Sequence, residues 1–153
     1  MNSSRTSMLA QLRILHGAFC AGVVLFGGVA AFLVHQDGPL GDASLAQPLM
    51  MVAAVLAVSG LAASVFLTNR LLEKARQQPD VAGKLVAYRS AFIIGVALLE
   101  GPALFAVVAY LLTGNVIVLA IVAVLVLRML MMRPTRDKIA TALGLQYDEV
   151  DAM

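Results

Sequence analysis

One carboxyl group in this 153-residue sequence stands where acidic residues are rare. Glu100 is the only acidic residue within four long apolar stretches, and it follows Arg89 by eleven residues, which is about 16 Å along a helix. This distance places Glu100 near the middle of a bilayer. An ionised carboxylate costs about 3 kcal/mol there, so the neutral acid should predominate. A carboxyl that takes up and releases a proton inside a membrane is the basic component of a proton path, and Glu100 is the predicted proton-binding residue.

The next two residues modify the helix that carries this acid. Pro102 has no N–H group, so the Leu98 carbonyl loses its usual helical partner. Gly101 and Pro102 are therefore predicted to support a kink or a locally opened helix beside Glu100. A structural interpretation stays open, in which a protonated Glu100 bonds a neighbouring helix and the proline only shapes a helix contact.

The composition excludes an ordinary soluble enzyme. Apolar residues make up 61% of the chain and charged residues 13%, against about half and about a quarter in soluble domains. No nucleophile–base pair, phosphate loop or metal-ligand spacing is present in the sequence, so we predict no catalytic residue, metal, cofactor or small-molecule substrate. The basic residues are explained by membrane topology, and nucleic-acid binding is not predicted.

The four apolar stretches predict an all-α integral membrane protein with a single domain, residues 1–153. Each is long enough to span a bilayer as a helix. They cover about residues 14–34, 49–68, 89–112 and 116–132.

The basic residues predict the orientation of these helices. All eleven Lys and Arg residues lie outside the connections 35–48 and 113–115. The positive-inside rule then places both termini, the loop 70–88 and the tail 133–153 in the cytoplasm. We expect a multi-pass protein of the cell membrane, as in a bacterial inner membrane. Within the tail, Thr135 and Gly144 are predicted to bound a short amphipathic helix on the membrane surface.

The chain contains an internal repeat. Residues 18–34 align without gaps to residues 91–107, and nine of the seventeen positions are identical. This predicts a duplicated helical hairpin in which the two copies share one orientation. Glu100 aligns with Gly27, so only the second copy carries the acid.

Small residues recur along the second predicted helix. They are Ala53, Ala57, Gly60 and Ser64. Such a stripe allows close approach of another helix, either in a tight oligomeric ring or within one chain. His16 and His35 are expected at the two membrane interfaces, and Cys20 is expected to be an inert buried thiol.

Part of the sequence resembles a known family. The segment KARQQPDVAGK (74–84) and the later segment AFIIGVALLEGPALFAVVAYLL (91–112) are similar to the proteolipid subunit of rotary ATP synthases, subunit c. The similarity covers residues 70–112. In that family, a small-residue helix leads through an Arg-Gln-Pro loop into a helix with a mid-membrane carboxylate.

The resemblance implies roles for this chain. Glu100 matches the ion-binding carboxylate, and the loop that contacts a partner matches Arg76, Gln77, Gln78 and Pro79. It implies a homo-oligomer or a subunit of a larger membrane complex. The leading hypothesis is a proteolipid-like subunit that binds and releases protons. The alternative is a non-transporting scaffold or accessory subunit in which Glu100-Gly101-Pro102 is a helix-contact element, and a small channel or carrier is a third possibility.

Overall fold

The computed structural model describes residues 3–145 and residue 149, and this part of the chain is helical apart from short connections. The helices are α1 (Ser3–Asp37), α2 (Ala46–Arg76), α3 (Val81–Thr113), α4 (Ile117–Met131) and α5 (Arg136–Leu143), with one 3-10 turn at Ala43–Leu45. No strand is present among the described residues, and the predicted all-α class is confirmed. Residues 146–148 and 150–153 of the expected tail lie outside the described residues.

Three helices in the described part of the chain are long and apolar enough to cross a membrane. These spans are Met8–Asp37, Ala43–Arg76 and Val81–Thr113, with a mean hydropathy of 2.2 to 2.3. The predicted segments 14–34, 49–68 and 89–112 lie within them. The fourth helix, α4, has only 15 residues, or about 22 Å of length, and α5 follows it at a bend of 79°. The described residues therefore contain three candidate spans, or four if the bent pair counts as one.

Helix α3 is the centre of the bundle. It packs against α1, α2 and α4, whereas α1 and α2 make little direct contact with each other. Its buried side chains recur at helical spacing on more than one face, including Phe92, Val96, Leu99, Ala103, Val107 and Tyr110. A helix that is surrounded by neighbours must be apolar over most of its circumference, which explains why only Glu100 interrupts its apolar stretch.

Helices α1 and α3 run parallel. The His16 ring lies 5.9 Å from the Phe92 ring, and nearer the other end Val34 packs close to Gly114. The contact face of α1 follows helical spacing and consists of Leu12, His16, Cys20, Val23 and Ala30. The two segments of the internal repeat thus lie side by side in the same direction.

The outer surface of the bundle is apolar along its length. Large exposed apolar side chains occur on α1, α2, α3 and α4, among them Leu25, Phe32, Val55, Phe66, Ile94, Val124 and Leu127. Soluble monomers do not leave apolar surface of this extent in contact with water. The surface suits lipid contact.

The connections are shorter than the sequence indicates. Of the expected loop 70–88, only residues 77–80 lie outside a helix, because apolar side chains such as Leu72 and Leu85 extend the packed faces of α2 and α3. Asp80 caps α3 by accepting a hydrogen bond from the Gly83 N–H. On the opposite end of the bundle, the Asp42 carboxylate accepts a hydrogen bond from the Ser44 N–H, which lowers the pKa of Asp42.

The short helix α5 folds back onto the bundle. Thr135 caps its start and Gly144, in a left-handed conformation, ends it, both as predicted. Its apolar side chains Ile139 and Leu143 are fully buried in the core that also contains Leu12 and Leu85. Its apolar face is therefore covered by the protein itself, and the location of this helix at the membrane surface stays a prediction.

Candidate functional site

Glu100 lies on the flank of the central helix, at the edge of its exposed surface. It is half-buried, and its neighbours Ala97 and Gly101 on the same side of α3 are exposed. The exposed side of a spanning helix faces lipid. The carboxyl is therefore held at the edge of an exposed surface of the bundle, about midway along α3.

The Glu100 carboxyl has no partner in the part of the chain that the structure describes. It makes no hydrogen bond and no ion pair there. The Glu100 carboxyl is close enough to the Cys20 thiol of α1 to act on that thiol electrostatically. An acid without a fixed donor or cation is free to exchange a proton with whatever reaches it, and this is the chemistry that the site can perform.

Pro102 lies on a different side of α3 from Glu100 and faces α2. Helix α3 continues from Val81 to Thr113 without a break at this proline. A Cβ atom added to Gly60 would lie 2.6 Å from the Leu98 carbonyl oxygen and 2.8 Å from Pro102 Cγ. The carbonyl that Pro102 leaves without a helical donor is thus covered by the backbone of α2, and it does not open toward the acid. The adjacent Gly101 has open space around it.

The small residues of α2 form the contact with α3. All four are buried, namely Ala53, Ala57, Gly60 and Ser64. The Ser64 hydroxyl donates a hydrogen bond of 2.8 Å to the Gly95 carbonyl, and a Cβ on Gly95 would collide with the Thr68 hydroxyl. Of the two interpretations that the sequence left open, packing within one chain is the one that the structure shows.

The four residues of the expected partner loop differ in their surroundings. Arg76 ends α2, and its Nε donates a hydrogen bond of 2.6 Å to the Ala142 carbonyl of α5. Its guanidinium is therefore used within the chain. Gln77, Gln78 and Pro79 form the exposed turn between α2 and α3, and they are the members of the set that remain accessible.

Contacts at the α4–α5 junction were not evident from the sequence. His16 is buried, and its Nε2 lies 2.8 Å from the Met129 carbonyl oxygen near the end of α4. The Lys138 ammonium donates to the Met131 carbonyl at 2.9 Å. Basic side chains stabilise the carbonyls at a helix C-terminus in this way. The helical spacing of Leu12, His16 and Cys20 was the signal that His16 belongs to a buried face.

Within the described residues, no group of three or more His, Cys, Asp and Glu side chains is placed to hold a metal ion. The chain matches no protein-family model, no curated protein and no solved structure.

Proposed function

We propose that this chain is a proton-binding subunit of a membrane assembly, in which Glu100 takes up and releases a proton at the lipid-facing edge of α3. The observation that carries the proposal is the absence of a partner for this carboxyl among the described residues. A carboxyl that only joins two helices would be expected to hydrogen-bond the neighbouring helix. The resemblance to rotary proteolipids, in which a mid-membrane acid performs this role, supports the same function.

The assembly that we propose has a defined orientation. At one end of the bundle, Arg13 of α1 donates a hydrogen bond to the α4–α5 connection, Arg76 of α2 donates to α5, and Lys138 of α5 donates to the end of α4. We place this basic end, with both termini and the 77–80 turn, in the cytoplasm. The parallel course of α1 and α3 supports an ancestral hairpin that was duplicated. The exposed Gln77, Gln78 and Pro79 are the residues that would contact a partner protein.

The second candidate function is a scaffold that carries no protons. The close fit of Gly60 against Leu98 and Pro102 favours it, because this fit gives the proline a purely structural role. In that case Glu100 stays protonated at all accessible pH values. The two functions therefore differ in one measurable property, the titration of a single carboxyl.

Infrared difference spectroscopy of the reconstituted protein tests this property. We expect a band of a protonated carboxyl that disappears reversibly as the pH is raised and that is missing in Glu100→Gln. Glu73→Gln, which removes an exposed acid from the end of α2, is the matched control and should keep the band. A band that persists unchanged at every pH would contradict proton exchange and favour the scaffold.

A further inference from the structure

A groove between α1 and α3 opens on the outer surface at the basic end of the bundle. Its volume is about 310 Å³. We call it the α1–α3 groove, and its lining residues are Gln11, Leu12, Ile14, Leu15, Ala18 and Arg89. The polar side chains Gln11 and Arg89 lie toward the basic end, and the apolar ones continue along α1 to Ala18.

The depth of this groove matches the border of the hydrocarbon core. Arg89 precedes Thr113, the last residue of α3, by 24 residues, or about 36 Å along the helix, and a hydrocarbon core is only about 30 Å thick. The guanidinium therefore stands at the level of lipid headgroups. From Gln11 to Ala18 the groove extends about 10 Å along α1 toward the membrane interior. The groove therefore has polar side chains at the membrane interface and apolar side chains below them. This arrangement matches the polar headgroup and the apolar acyl chains of a phospholipid.

Arg89 differs from the other cations at this end. Arg13, Arg76 and Lys138 donate to backbone carbonyls, and Arg70 lies over the Phe66 ring. Arg89 is exposed and has no hydrogen bond, ion pair or ring contact. Other unengaged cations are present at this end, but Arg89 is the one that lines this groove. A guanidinium is suited to bind a phosphate through two parallel hydrogen bonds.

From this placement we propose that the α1–α3 groove binds one anionic phospholipid, with its phosphate on Arg89 and an acyl chain along Leu15 and Ala18. Charge complementarity favours an anionic headgroup, because basic residues predominate at this end of the bundle and clusters of this kind attract anionic lipids. The site is independent of Glu100 and of whether that acid exchanges protons.

Native mass spectrometry of the full-length protein tests the proposal, with phosphatidylglycerol and phosphatidylcholine of identical acyl chains as probes. We expect one phosphatidylglycerol to be retained in preference to phosphatidylcholine. Arg89→Gln should weaken its binding about tenfold through the loss of charge-assisted hydrogen bonds. The matched control Arg133→Gln, which neutralises an exposed arginine outside the groove, should change the affinity by less than about twofold.

A second variant tests the apolar part of the groove. Ala18 is exposed, so Ala18→Phe should fold normally, fill the groove and weaken retention of phosphatidylglycerol without any change of charge. Equal retention by the wild type and Arg89→Gln, or equal binding of the two lipids, would overturn the proposal. The proposal would also be overturned if the wild type formed a dimer and Ala18→Phe dissociated it, because the groove would then hold a second copy of the chain.

Discussion

Gly60→Ala should destabilise the bundle by about 1–3 kcal/mol, the usual cost of overpacking a closely fitted contact. The added Cβ would lie 2.6 Å from the Leu98 carbonyl oxygen and 2.8 Å from Pro102 Cγ. Neither group can move away easily, since one is the backbone of a continuous helix and the other is a rigid ring. Helices α2 and α3 must therefore separate, and this is the most extensive helix contact of the fold.

The measurement is reversible unfolding in mixed micelles with increasing dodecyl sulfate, followed by circular dichroism. Gly22→Ala is the matched control, because no atom lies within 4 Å of a Cβ added there. It should be neutral or should stabilise α1 by up to about 1 kcal/mol through helix propensity. Coincident unfolding curves for the two variants would refute the close contact at Gly60.

The double variant Ile139→Ala, Leu143→Ala should release α5 from the bundle. These side chains are 0% and 1% exposed, and truncation of such a residue in a core costs about 2–5 kcal/mol. Helix α5 has only eight residues, and a helix of that length is not stable in water without tertiary contacts. It should therefore unfold once it has detached.

Limited proteolysis with trypsin measures this release, because Arg136 and Lys138 lie within α5. We expect cleavage at these residues to become at least about tenfold faster in the double variant, since proteolysis follows the population of the open state. Thr141→Ala alters an exposed residue of the same helix and should leave the rate unchanged. A double variant as resistant as the wild type would show that the buried contacts do not hold α5.

The helices and their apolar lengths could be predicted from the sequence because hydrophobic length and periodicity determine them locally. What each face contacts could not be predicted. The stripe from Ala53 to Ser64 suits a neighbouring subunit as well as it suits α3, since close approach needs only small side chains. The apolar face of α5 raised the same ambiguity, because Ile139 and Leu143 suit lipid and protein equally.

The candidate site was predictable to a similar extent. Glu100 is conspicuous in the sequence because charge is rare within apolar segments. Whether its carboxyl finds a hydrogen-bond or ion-pair partner depends on how α1 and α2 are placed around α3. No local sequence pattern specifies that placement. The same holds for Arg76, whose hydrogen bond to Ala142 joins residues 66 positions apart. The sequence marks these groups as candidates, and their surroundings follow only from the tertiary structure.

The most direct test of proton binding is the reaction of Glu100 with a hydrophobic carbodiimide in membranes, read by mass spectrometry. The reagent attacks a protonated carboxyl that it can reach from lipid. Our account predicts labelling of Glu100 that decreases as the pH rises, with no labelling of this peptide in Glu100→Gln. The dodecyl sulfate-unfolded protein serves as the control for reactivity. Labelling of Glu100 only after unfolding, and at no pH in the folded protein, would contradict a lipid-accessible proton-binding carboxyl.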